Sequence, residues 1–348
     1  MGKNYKEDNL PWIEKYRPTN LDDIVSHTDI ICMIKKFISN RSLPHLLFYG
    51  KPGTGKTSTI TACAKELYGD YIDFMVMELN ASDDRGIEVV RNKIHQFVIT
   101  GNAFYGSTEE ERKGLFKLVI LDETDAMTAD AQAILRQVIE KHTKNARFCL
   151  IVNYIKNIIP ALQSRCTKFR FNPLDGNSIG KRVRYVASKE NINITSGGIT
   201  EIIKRSNGDM RKALNISQSV SMMFDTVNEK YVNMCLGYPR LIHIKKILKW
   251  ISCETFNNAH KHIVSLIKKE GLSLSDIVTE IHNYIINILL NNKQPDIIQS
   301  YNISDISNIL DKLCEIEHNL SITNNIFIQL SAFIGIFFIY KIDLNKKI

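Results

Sequence analysis

The stretch GKPGTGKT, residues 50–57, is a glycine-rich run closed by a lysine and a threonine. It has the form G-x-x-x-x-G-K-[ST], with a short apolar run, HLLFYG, before it and a helical segment after it. In that setting Gly50, Gly53 and Gly55 let backbone N–H groups curl around phosphate oxygens, with Lys51, Pro52 and Thr54 completing the turn. Ser58 lies in the first turn of the following helix, whose positive end faces the same anion. Lys56 is placed to reach the β- and γ-phosphates, and the Thr57 hydroxyl to bind Mg²⁺. The expected ligand is ATP with Mg²⁺.

A second constellation is LVILDETD, residues 118–125. Asp122 follows four apolar residues and so projects from the carboxyl end of a buried strand, the edge where ligands sit in such sheets. It is assigned to Mg²⁺, and the adjacent Glu123 to orienting the attacking water. Asn153 ends another apolar run, RFCLIVN, where an amide can hold that water or sense the γ-phosphate; a turn-forming asparagine is the plainer alternative. In NGDMRKALN, residues 207–215, Asp209 is placed to cap a helix, and Arg211 falls in its first turn. A cation there opposes the helix dipole, which suggests a nearby anion.

These residues need a scaffold that gathers strand ends along one edge. HLLFYG (45–50), FMVMELN (74–80), FKLVILD (116–122) and RFCLIVN (147–153) alternate with helical segments such as AILRQVIEKH, whose Ile134, Leu135, Val138 and Ile139 share a face. Alternation of this kind implies an α/β domain with a parallel sheet covered on both faces. The punctuation changes near residue 172, and short helical segments run to about residue 236. Beyond Tyr238-Pro239 everything reads as helix, with Ile244, Ile247, Leu248 and Ile251 on one stripe and Ile277, Ile281, Tyr284, Ile285 and Ile288 on another. The expected parts are a nucleotide-binding domain (1–171), a small helical lid (172–237) and an all-helical C-terminal domain (238–348).

Composition sets outer bounds. A chain of 348 residues, 44% hydrophobic and 24% charged, has the make-up of a soluble globular protein and room for two or three cores. The net charge of +8 is compatible with a polyanionic partner and equally with a Lys-rich composition. Seven scattered cysteines, none spaced C-x-x-C, argue against both a disulfide framework and a zinc site. The residues Met1–Asn9 lack the apolar core of a signal peptide. The most apolar run, residues 326–340, falls short of a membrane span and is expected as a buried C-terminal helix.

Taken together, the motifs PWIEKYRP (11–18), LPHLLFYGKPGTGKTST (43–59), ELNASDDRGIEVVRNKI (78–94), VILDETDAM (119–127), PALQSRCTKFRF (160–171) and GDMRKALN (208–215) resemble those of AAA+ ATPases. Within that class they resemble the small subunits of replication factor C, the eukaryotic sliding-clamp loader, with a flavour most like the subunit in the middle of the five-member arc. The resemblance implies a helical lid, a C-terminal collar for oligomerisation and an active ATP site. It also implies that Arg165, in QSRCTKF, is an arginine finger acting in trans on a neighbouring subunit. Residues 11–25 would enclose adenine and ribose, bringing Arg17 and Val25 near the base. Arg85 and Arg91 would track the backbone of primer-template DNA, and the region with Phe97, Ile99, Phe104 and Tyr105 would face the sliding clamp, PCNA. Four other replication factor C subunits and a nuclear location belong to the same expectation. Lys51 and Thr124 depart from the usual Pro and Ala at positions peripheral to the chemistry, and Gln137 stands where a second arginine is common. Two further readings compete: a non-hydrolysing scaffold subunit of the same complex, and a motor that translocates along DNA.

Overall fold

The structure, a computed structural model, describes residues 10–40, 42–81, 87–99, 116–291, 303–323 and 325–345. Two compact units divide the chain, residues 1–227 and 228–348.

In the first unit five parallel strands form one sheet: β1 (Leu46–Gly50), β2 (Val76–Asn80), β3 (Lys117–Asp122), β4 (Ala146–Val152) and β5 (Thr167–Phe171), in the order β2-β3-β4-β1-β5. Helices α1 (Thr28–Ser39), α2 (Lys56–Tyr68), α3 (Ile87–Ile99) and α4 (Ala129–His142) alternate with them along the chain. Because side chains in a strand alternate faces, β1 sends Leu46 and Phe48 into one core and Leu47 into the other. The first core gathers Ile31, Ile34, Ile60 and Cys63 from α1 and α2 with Leu118, Ile120, Cys149 and Ile151. The second gathers Ile94, Val98, Leu135, Val138 and Ile139 from α3 and α4 with Val119, Leu121, Phe148 and Leu150. With both faces covered, β1, β3 and β4 read as continuous apolar runs, and that makes them legible. Their carboxyl ends align along one edge, since Leu121 pairs with Leu150 and Tyr49 with Val152.

The strand expected over 74–80 begins at Val76; Ile72–Met75 is a turn of helix, and Phe74 is exposed. A strand absent from the sequence reading, β5, closes the sheet beside β1. In it Phe169 and Phe171 are buried while Thr167, Lys168 and Arg170 face solvent. Gly50 is fixed by this neighbour. Its φ is +150°, and a Cβ there would lie 2.1 Å from the Phe171 carbonyl oxygen. Backbone cannot yield as a flexible side chain can, so Gly50→Ala is expected to cost about 3 kcal/mol. An apparent Tm lowered by roughly 6–12 °C in thermal unfolding would register that cost, and a Tm within 2 °C of the parent would contradict it.

The rest of the first unit comprises α5 (Gly176–Lys189), α6 (Ser196–Ser206) and α7 (Met210–Met223), with short parallel strands β6 (Asn193–Ile194) and β7 (Thr226–Val227) where only helix was expected. Each helix starts on a side-chain cap: Asp175 accepts from Ser178 N, Thr195 from Gly198 N, and Asp209 from Arg211 N and Lys212 N. Such caps satisfy otherwise orphan N–H groups.

The second unit is helical: α8 (Glu229–Leu236), α9 (Leu241–Cys253), α10 (Phe256–Glu270), α11 (Leu274–Asn291), α12 (Ile303–Ile322) and α13 (Ile326–Asn345). Ile244, Ile247, Leu248 and Ile251 pack with Ile277, Ile281, Ile285 and Ile288, as their spacing requires. Helix α13 is only half buried: Phe333, Ile334 and Phe337 enter the core, whereas Ile326, Phe327, Ile328 and Ile339 are exposed. A helix apolar all round has no pattern to say which stripe packs, so the expectation of a buried helix is corrected to one buried face. Among the described residues no helix is long and apolar enough to cross a membrane, and all seven cysteines are free thiols.

Candidate nucleotide site

The turn between β1 and α2 folds around its own lysine. Lys56 Nζ donates to the carbonyls of Gly50 (2.7 Å) and Lys51 (2.9 Å) and to Oδ1 of Asn153 (3.1 Å), the residue that follows β4. Burial penalises its charge and pulls its pKa down to about 8, against the opposing pull of Asp122. The folded protein therefore holds fewer protons than the unfolded chain between about pH 8 and 10.5, and the stability of the free protein rises with pH across that window. A triphosphate reverses the balance by favouring the ammonium. Binding of ATP at pH 8 is expected to take up about half a proton at this lysine, and much less below pH 7. Calorimetric titrations in buffers of differing ionisation enthalpy measure it directly, and uptake unchanged in Lys56→Met would refute the assignment.

Beside Lys56, the Thr57 hydroxyl donates to Asp122 Oδ2 at 2.8 Å, joining the first helical turn to the end of β3. Asp122 Oδ1 accepts from Glu123 N at 2.8 Å. Glu123 itself has φ +53°, a left-handed backbone uncommon outside glycine, and is exposed. Backbone strain of this kind concentrates at functional sites. Asp125 Oδ2 accepts from Asn153 N (3.2 Å) and Tyr154 N (3.1 Å), holding the ends of β3 and β4 together. Thr124 is fully buried and donates to Leu121 O at 2.9 Å, so this departure forms part of the turn's foundation.

Helix α7 closes the site from the lid side. Met210 N donates to Gly53 O at 3.1 Å, and a Cβ on Gly53 would fall 1.7 Å from Asp209 Oδ1. The second glycine of the loop thus admits the lid's capping aspartate as well as shaping the turn. The N-terminal segment is pinned to the same lid helices. Trp12 packs on Val186 and Leu214, and its backbone N–H donates to Gln218 Oε1 at 3.0 Å. Glu190 pairs with Lys15 at 2.7 Å and accepts from the Tyr16 hydroxyl, while Arg182 donates to Tyr16 O.

The result is one cavity. Among its lining residues are Arg17, Pro18, Ile24, Val25 and Ser26 of the N-terminal segment, Pro52 through Ser58 with Asp122, Glu123 and Asn153, and Leu174, Arg182, Met210, Arg211 and Leu214. The residues expected at the nucleotide are brought together there except Gly50 and Lys51. Those two contribute carbonyl oxygens, Lys51 O also accepting from Thr54 Oγ1. Asp125, Arg182, Met210 and Leu214 were not anticipated. Only Asp125 had a local signal, in the third acid of DETD. Thr57 and Asp122 supply a hydroxyl and a carboxylate side by side, a donor set that fits Mg²⁺, which keeps waters and substrate phosphates as its other ligands.

Arg165 lies elsewhere and is not among the residues lining this cavity. It follows the helical turn Pro160–Gln163, donates to Ala161 O at 2.6 Å and pairs with Glu140 on α4. The turn is anchored by buried Gln132, which donates to Met127 O (3.2 Å) and Asn157 O (2.9 Å) and accepts from Ile159 N (2.9 Å). Cys166 is buried, and its thiol is pushed up to about 11, so it serves packing rather than reactivity. Arg85, Phe104 and Tyr105 lie outside the described residues, as does the side chain of Arg91 on α3. Of the neighbouring positions, Ile99 is exposed and Phe97 lies under Lys117 Nζ, 4.6 Å from the ring centroid.

A parallel sheet with a glycine-rich loop after β1, a carboxylate pair where β3 ends, an asparagine after β4 and a lid arginine in one cavity defines an AAA+ ATPase. The family described as "ATPase family associated with various cellular activities (AAA)" matches residues 46–174, an AAA+ lid domain described as RCF1/5-like matches 181–222, and the replication factor C C-terminal domain matches 239–335. Replication factor C subunit 5 of Mus musculus is 50% identical over 94% of this chain and 92% of its own length. Subunit 3 of Schizosaccharomyces pombe is 46% identical (94% and 91%), and subunit 3 of Saccharomyces cerevisiae 43% (94% and 93%). The chain belongs to the replication factor C small subunits. In solved structures, the Holliday junction branch migration motor RuvB of Thermotoga maritima covers 75% of this chain with a TM-score of 0.51 at 17% identity, a likeness of fold alone.

Proposed function

We propose that this ATPase works inside a five-subunit clamp loader, at the middle of the arc, opening the sliding clamp PCNA and placing it on primer-template DNA during nuclear replication and repair. One observation supports the reading: Lys56, Thr57, Asp122, Glu123, Asn153 and Arg211 line one cavity, while Arg165 stands outside it. In this reading Lys56 and the loop amides grip the β- and γ-phosphates, and Arg211 reaches the γ-phosphate from the lid. Glu123 accepts a proton from the attacking water, with Asn153 fixing that water's position. Thr57 and Asp122 would hold Mg²⁺, which would supply positive charge against the charge developing on the phosphates. Arg165 performs the equivalent service at the adjoining subunit, so hydrolysis reports on assembly. Arg85 and Arg91 meet DNA phosphates, which position the duplex without reading sequence.

The test is reconstitution with four related subunits, PCNA and primed circular DNA, scored by ATP-dependent retention of the clamp on the circle. Retention that requires this chain supports the proposal. A homo-oligomer that translocates along DNA without a clamp would favour the motor reading instead.

A further inference from the structure

We propose that Glu140 is a positioning residue for Arg165, a latch that holds the guanidinium in the free subunit and releases it by changing partner. The inference rests on the reading of Arg165 as a finger acting in trans.

Glu140 is exposed on α4 and touches two cations. Its Oε1 pairs with Arg165 Nη2 at hydrogen-bonding range, while Arg136, one helical turn earlier, brings its Nε to 3.9 Å of the same oxygen. That Nε is buried and has no hydrogen-bond partner among the described residues. The carboxylate therefore has a second partner at the i, i+4 spacing that helices favour, one whose own donor stands to gain from the exchange. Among the described residues, the Arg165 guanidinium has one other hydrogen bond, to Ala161 O. When a neighbouring subunit presents ATP, the guanidinium meets several phosphate oxygens with more negative charge than one carboxylate carries. Glu140 then closes on Arg136, so its charge does not follow the finger and compete with the phosphates. The Arg165 and Glu140 side chains are 36% and 43% exposed, and pairs this exposed are weak. Release is accordingly easy, and the latch sets how often the finger is available.

The experiment uses the full complex, with every other site silenced at its counterpart of Glu123 so that only the site served by Arg165 turns over. Glu140→Gln keeps the shape and an acceptor but removes the charge. Turnover at that site is expected to rise about two- to fivefold with KM for ATP little changed. Salt screens the latch, so the advantage over the parent should shrink between low and high KCl; a merely structural role would show no such convergence. In Glu140→Gln combined with Arg165→Ala the gain should vanish. If Arg165→Ala lowers turnover but Glu140→Gln leaves it unchanged or reduces it, the latch is wrong and the finger stands. If Arg165→Ala has no effect, both fall. Unchanged melting of Glu140→Gln confirms that the fold is not being read instead.

Discussion

In a complex assembled with Arg165→Ala, hydrolysis at the neighbouring site is expected to fall by roughly 10³–10⁵-fold, the range for removal of an arginine finger. This chain's own affinity for ATP should stay within about twofold, because Arg165 does not line its cavity. The size of the effect comes from the transition state. Charge spreads over the γ-phosphoryl oxygens as the bond to the leaving group stretches, and a planar, permanently charged guanidinium meets it with two donors at once. A lysine at the same position presents a point charge, so Arg165→Lys should recover only a small part of the loss. The fold gives no reason for collapse in either variant: the side chain is partly exposed, and the turn beneath it is held by Gln132 and buried Cys166. Single-turnover hydrolysis with the other sites silenced is the measurement. An undiminished rate would mean that the guanidinium serves only its pair with Glu140.

The parts of this site that could be read from the sequence are those built by short-range rules. A glycine turn between an apolar run and a helix, and acids directly after four apolar residues, have a single sensible placement in a parallel sheet. That placement brings Lys56, Thr57, Asp122, Glu123 and Asn153 together. Contacts across long chain separations left no comparable mark. Trp12 bonds to Gln218 at a separation of 206 residues, and Arg182 reaches Tyr16 across 166; nothing near either residue announces its partner. Strand β5 was missed for a different reason. As an edge strand it buries only Phe169 and Phe171 and leaves Lys168 and Arg170 exposed, so TKFRF lacks the continuous apolarity of its central neighbours. Arg165 belongs to a third class: its residue type suits an anion but names no target, and only the resemblance to clamp loaders proposed one, on a neighbouring chain.

Glu123→Gln should retain ATP and fail to cleave it, with a turnover loss of about 10²–10⁴-fold, as for removal of a general base. The amide keeps the carboxylate's shape and can still accept a hydrogen bond, but it cannot take a proton from water. Binding should survive because the groups proposed to grip phosphate are elsewhere. Lys56, Thr57 and the loop amides belong to the β1–α2 turn, and the Asp122–Thr57 hydrogen bond at 2.8 Å does not involve Glu123. The substitution is also structurally mild, since the side chain is exposed and its left-handed backbone, at φ +53°, is retained by the hydrogen bond from its N–H to Asp122. Filter binding of ATP alongside single-turnover hydrolysis in the assembled complex separates the two functions. Loss of turnover at this site with binding preserved places the chain among subunits that burn ATP during loading. Full turnover in the mutant would instead favour the scaffold reading, in which bound nucleotide only holds the arc together and Arg165 is the chain's sole contribution to chemistry.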